Sequence, residues 1–114
     1  MKIGNDIIEI ARIKKTFNDI KKQSRVFTQR EIDYANKKQN SMESFAGFFA
    51  VKESVVKALE GGLITEVEVL HKENGAPYVV LSGKCKELFE KNFKEIEVSI
   101  SHSNEYASAV VIIG

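Results

Sequence analysis

One segment constrains this chain more than any other: the run from Met42 to about Glu60, with FFAVKESVVKAL at its centre. At about 100° per residue, Phe45, Phe48, Phe49, Val55, Val56 and Leu59 fall on one broad apolar stripe of a helix, so the segment must lie against a core. Lys52 falls near the middle of that stripe. An unpaired ammonium in such a place costs several kcal/mol or gives up its charge. Lys52 therefore requires an anion, supplied by the protein or by a ligand. Ser41 can cap the start of this helix, and Gly61-Gly62 ends it.

The elements around this helix follow from local pattern. Met1 to Asn5 reads as a short strand that passes at Asp6 into an amphipathic helix, with Ile10, Ile13, Phe17 and Ile20 spaced 3, 4, 3. Thr28 followed by Glu31 is a capping-box pattern and predicts a second helix from Thr28 to about Lys37. The second half is richer in strand residues. Asn74-Gly75 between two such runs predicts a hairpin, Gly83 to about Asn92 a helix, and EIEVSISHSNEYASAVVIIG two further strands around a turn. The order predicts an α+β fold, with an antiparallel sheet packed against a long central helix in a single domain spanning 1–114.

A chain of 114 residues carries one core, and its net charge of +1 argues against a nucleic-acid-coating role. The average conceals a bias between Arg12 and Arg25, where six basic residues face one acid, Asp19; such a patch suits an acidic partner. Cys85 is the only cysteine, which excludes an internal disulfide framework and a cysteine metal cluster and suits a reducing cytoplasm. The N-terminus lacks the apolar core of a signal peptide, and no apolar run reaches the roughly 20 residues of a membrane span. A cytoplasmic location without membrane insertion is the expectation.

Several side chains could carry chemistry. Asp6 and Glu9 have the spacing of a helix cap and its partner, but a carboxylate where a strand meets a helix also suits phosphate and metal chemistry. Glu53 and Lys57 have the spacing of a surface ion pair, and Glu53 lies at the edge of the apolar stripe. Asp6 and Glu53 sharing a hard divalent cation, with Lys52 and Lys57 for phosphate oxygens, would form a phosphoryl-transfer set. In Ile96, Val98, Ile100, His102 the alternation places His102 at the end of a buried face, whereas His71, among charged neighbours, reads as exposed and uninformative. Cys85 has no partner that would make it a nucleophile.

Five motifs in order, IGNDIIEIARI, FTQREIDYA, FAGFFAVKESVVKAL, NGAPYV and VSISHSNEYASAVVI, resemble the bacterial holo-acyl-carrier-protein synthases, the small class of 4'-phosphopantetheinyl transferases. The resemblance implies that the phosphopantetheine arm of coenzyme A moves onto a serine of an apo acyl carrier protein, in fatty acid biosynthesis, leaving adenosine 3',5'-bisphosphate. It also implies Mg2+ held by Asp6 and Glu53, phosphate contacts from Lys57 and His102, and a homotrimer with sites between subunits. The serine proton would pass to Glu53 or to a water on the metal. Lys52 is expected to reach a buried carboxylate or the coenzyme A phosphates. Arg12, Lys15, Lys22 and Arg25 become the expected docking surface for the acidic carrier.

Two positions depart from the family pattern: Phe48 stands where an arginine associated with coenzyme A binding is usual, and Asn5 where an aliphatic residue is usual. Lys37, Lys38 or a neighbouring subunit are the candidates to compensate for the arginine. Two other functions stand beside the transferase. One is a non-enzymatic module that docks an acidic protein through the basic helix, and the other is a Mg-dependent phosphoesterase using Asp6 and Glu53.

Overall fold

The computed structural model describes residues 1–114. Its elements run β1 Lys2–Glu9, α1 Ile10–Thr16, α2 Ile20–Gln23, α3 Gln29–Asn36, α4 Ser41–Leu59, β2 Val67–His71, β3 Pro77–Leu81, α5 Gly83–Asn92, β4 Ile96–His102 and β5 Tyr106–Ile113. Strands β1, β5 and β4 form an antiparallel sheet in that order, while β2 and β3 form a separate antiparallel hairpin. The long helix α4 lies across the inner face of the larger sheet, against β1 and β5. The expected α+β architecture, with a central helix on an antiparallel sheet, is what the chain adopts.

The alternation of β5 shows how the sheet divides its two faces. Ala107, Ala109, Val111 and Ile113 are buried against α4, while Val110 and Ile112 point outward with Ile3 and Ile7 of β1. Small residues at 107 and 109 bring the helix close. The closest approach is at Gly4, where a β-carbon would stand 3.0 Å from the Ser54 carbonyl carbon and 3.2 Å from Ala58 Cβ. Only glycine lets β1 lie this near the helix backbone. Ser54 ties the same spot together, its hydroxyl 2.7 Å from the Ala50 carbonyl and 3.2 Å from that of Ala109.

The first helix departs from the sequence expectation at both ends. β1 continues through Asp6 to Glu9, so Asp6 is a strand residue opposite Ala109 and no Asp6–Glu9 cap forms. The helical period also breaks after Thr16. Asp19 caps a new helix through the Lys22 N–H, Gln23 donates to the Phe17 carbonyl left free at the break, and Ile20 is turned to solvent. The next boundaries keep closer to the sequence expectation, with the cap of α4 moved by one residue. Thr28 and Glu31 form the capping box, α4 is capped by Asn40 rather than Ser41, and Glu60 closes it in the left-handed conformation.

The anion required by Lys52 is Glu31. Both carboxylate oxygens lie 2.9 Å from the Lys52 ammonium, and neither side chain is exposed to solvent. Lys52 also donates to the Val67 carbonyl, while Glu31 accepts the Thr28 and Val69 backbone N–H groups, each at 2.8 Å. Every buried side-chain nitrogen and oxygen has a partner. Burial still pulls the Lys52 ammonium below its ordinary value, with Glu31 opposing the shift.

Candidate active site

The contact between Gly4 and Ser54 sets where β1 places its next inward residue. Side chains two apart on a strand share a face, so Asp6 follows Gly4 onto the side that meets α4. There its carboxylate lies 2.9 Å from the Lys57 ammonium, which also donates to the Asn5 carbonyl at 3.1 Å. Glu53 stands one turn before Lys57 and is half-buried, as its place at the edge of the stripe implies. Lys57 thus pairs with Asp6 across two elements instead of with Glu53 along its own helix. The carboxylate of Asp6 is largely shielded, whereas Lys57 is about half exposed and has one N–H left for a ligand.

Such a group can bind phosphate and place a hard cation beside it. No three histidine, cysteine, aspartate or glutamate side chains converge on one point in the protein. Asp6 and the half-buried Glu53 nevertheless supply the hard oxygen donors that Mg2+ takes when waters and substrate phosphates complete its shell.

A separate cavity of about 370 Å3 opens between α3, α4, the hairpin and β4, and Tyr34, Lys38, Glu43, Phe48, His71 and His102 are among its lining residues. His71 is not the exposed bystander that its neighbours in sequence suggest. Its ring stacks on Tyr34 with centroids 3.8 Å apart and planes within 2°, and Phe48 stands 5.7 Å from each of the two rings. Burial, and secondarily the charge of Lys38, lower the His71 pKa. Lys38 lies 4.8 Å over the Tyr34 ring at the rim.

His102 reaches this cavity from the end of β4 but is exposed, because the strand runs past the core before the alternation reaches it; its Nδ1 is 3.6 Å from a Glu43 carboxylate oxygen. Lys52 does not line the cavity. Of the two anions expected for it, a buried carboxylate or the coenzyme A phosphates, Lys52 takes the buried carboxylate of Glu31, and its complete burial keeps it from the cavity surface. Arg12, Lys15, Lys22 and Arg25 are all exposed, the first two on α1 and the others on and after α2. Cys85 is buried and its thiol is pushed up to about 11, which leaves it unreactive.

Comparison with known proteins assigns the class of this arrangement. A family model described as the 4'-phosphopantetheinyl transferase superfamily matches residues 2–111. The chain belongs to that superfamily, as an enzyme of the holo-acyl-carrier-protein synthase family. It is 43% identical over 119 residues to the holo-acyl-carrier-protein synthase of Thermoanaerobacter sp. strain X514, covering 98% of this chain and 86% of the relative. Among solved structures, it is similar to the Helicobacter pylori synthase in complex with coenzyme A, with a TM-score of 0.83 and 34% identity over 98% of this chain and 99% of that one. The Bacillus anthracis synthase in complex with coenzyme A (3',5'-ADP) gives a TM-score of 0.80 at 32% identity, over 98% and 94% of the two chains. Membership of a transferase family decides against a purely non-enzymatic docking module and against a phosphoesterase.

Proposed function

We propose that the single domain 1–114 transfers the 4'-phosphopantetheine group of coenzyme A to a serine of an apo acyl carrier protein and releases adenosine 3',5'-bisphosphate. The observation that carries this reading is the Asp6–Lys57 contact beside Glu53. It joins a shielded carboxylate to a half-exposed cation with a spare N–H where β1 crosses α4, with Glu53 one helical turn before that cation. Asp6 and Glu53 would hold Mg2+, and Asp6 is already turned toward a cation. When bound, the metal neutralises charge developing on the pyrophosphate.

The chain's own residues do the rest. Lys57, fixed by Asp6 and the Asn5 carbonyl, directs its third N–H at a phosphate oxygen. The carrier serine forms a bond to the β-phosphorus, the bond from that phosphorus to the bridging oxygen breaks, and the departing nucleotide takes the electron pair. A Glu53 carboxylate oxygen is the protein group able to receive the serine proton. The nucleotide end of coenzyme A occupies the cavity walled by Tyr34, Phe48 and His71, with Lys38 and His102 at its rim for phosphate. This reading is supported by the coenzyme A complexes of two similar synthases.

Arg12, Lys15, Lys22 and Arg25 form the docking surface for the acidic carrier, acting chiefly on association rate. The outer face of the larger sheet exposes Ile3, Ile7, Val110 and Ile112 together, an apolar patch suited to covering by further copies of the chain in a homotrimer.

Incubating the protein with apo carrier, coenzyme A and Mg2+ should add a mass of roughly 340 Da to the carrier, and Asp6→Ala or Glu53→Ala should abolish the addition. No mass shift with several bacterial carriers would overturn the reading.

A further inference from the structure

The Glu31–Lys52 pair takes no part in the chemistry above, yet it is a wholly buried ion pair. Replacing such a pair by apolar side chains is often neutral or stabilising, so stability alone does not account for it. Its connections suggest another role. Glu31 lies on α3, Lys52 on α4, and their hydrogen bonds to Val69 and Val67 grip the backbone of β2.

Each of these three elements carries one aromatic wall residue a single step from the pair. Tyr34 is three residues after Glu31, Phe48 is four before Lys52, and His71 is two after Val69. Residues three or four apart on a helix, or two apart on a strand, share a face. On α3 and α4 the pair and the rings therefore share a face, on β2 His71 follows the residue whose N–H Glu31 holds, and the rings converge as a stack with planes 2° apart and a third ring 5.7 Å away.

We propose that Glu31 and Lys52 are positioning residues for the coenzyme A cavity, holding β2 in longitudinal register with α3 and α4 so that His71 lies flat on Tyr34 beside Phe48. The inference rests on the function proposed above. Apolar contacts are non-directional and would let β2 slide along the helices. Hydrogen bonds to the Val67 carbonyl and the Val69 N–H admit one position. A wall set in this way presents a flat aromatic surface to the planar base of the nucleotide.

The test is the double variant Glu31→Leu/Lys52→Met of the full chain, which removes both charges together. It should stay folded by circular dichroism. The KM for coenzyme A, and the Kd for adenosine 3',5'-bisphosphate by calorimetry, should rise about tenfold or more while kcat stays within about twofold. In NMR spectra the His71 ring protons, shifted by the Tyr34 ring in the wild type, should move toward free histidine positions. A folded double variant with wild-type KM, Kd and His71 shifts would overturn the proposal. If that variant does not fold, Glu31→Gln/Lys52→Met, neutral and close in shape, is judged by the same readouts. A wild type that neither binds coenzyme A nor modifies a carrier would instead refute the proposed function, and the His71 shifts would still test the pair.

Discussion

Gly4→Ala is the sharpest single test of how the site is built, because it adds one methyl group at a place where the backbone has no room. The new β-carbon would stand 3.0 Å from the Ser54 carbonyl carbon and 3.2 Å from Ala58 Cβ, and it would overlap the Ser54 carbonyl oxygen. Those are main-chain and β-carbon atoms of a packed helix, so no side-chain rotation relieves the overlap. β1 must lift from α4 by roughly 1 Å, with an overpacking cost of about 1–3 kcal/mol. For a chain of this size that corresponds to a fall in Tm of about 4–13 °C.

The same displacement carries Asp6, two residues along, away from Lys57 and Glu53. A misplacement of about 1 Å can cost on the order of 100-fold in rate. The predicted variant is therefore folded at low temperature but about 100-fold slower in the mass-shift assay, even with saturating coenzyme A. Thermal unfolding and initial-rate measurements on one preparation separate the two effects. Gly4→Ala with wild-type Tm and wild-type rate would refute the claim that β1 must touch the backbone of α4 to place Asp6.

Other expectations are read from single residues. Lys57→Met should lower kcat/KM by about 10–100-fold if, as proposed, its ammonium serves phosphate, since the change removes that charge and leaves Asp6 without its partner. Arg12→Glu should slow carrier modification at low salt and approach the wild-type rate as ionic strength rises, with KM for coenzyme A unchanged; a salt-independent effect would argue against docking at Arg12. Glu66 and Glu68 are both held below the ordinary carboxylate value of 4.5, Glu66 first by the Leu63 and Lys84 N–H groups and Glu68 first by Arg30. The unfolded chain then binds more protons in that range, so the stabilisation is complete above 4.5 and is lost as pH falls through the lowered values. The urea midpoint of the wild type should accordingly exceed that of Glu66→Gln at neutral pH, with the gap closing in acid. Ile7→Lys, on the outer sheet face, should yield smaller particles by light scattering without changing the circular dichroism spectrum.

The parts of this structure that could be read from sequence are those specified by nearby residues. The α4 stripe, the capping box at Thr28 and the hairpin at Asn74-Gly75 all emerge as written, because period, cap and turn are local. Asp6 shows where locality fails. The Asp6–Glu9 spacing imitates a helix start, but eight residues of pairing with β5, near the other end of the chain, keep this segment extended. His102 shows another limit, since alternation gives the face of a side chain but not where the core beneath it ends. The need of Lys52 for an anion was legible from its position in the stripe. Glu31 could not be singled out as that anion, because its capping role accounted for it fully. His71 and Tyr34 meet only through the docking of β2 on α3, for which no short-range signal exists.

The pairing of β1 with β5 also bears on how the enzyme is made. Asp6 lies opposite Ala109, and the Ala109 carbonyl approaches Ser54 at the point where Gly4 meets the helix. During synthesis, the strand bearing Asp6 waits unpaired until a segment about one hundred positions later has been made. Contacts of such long sequence separation form late and slowly. Chains that stop short of β5 thus carry the exposed basic residues Arg12, Lys15, Lys22 and Arg25 before Asp6 has its place beside Lys57.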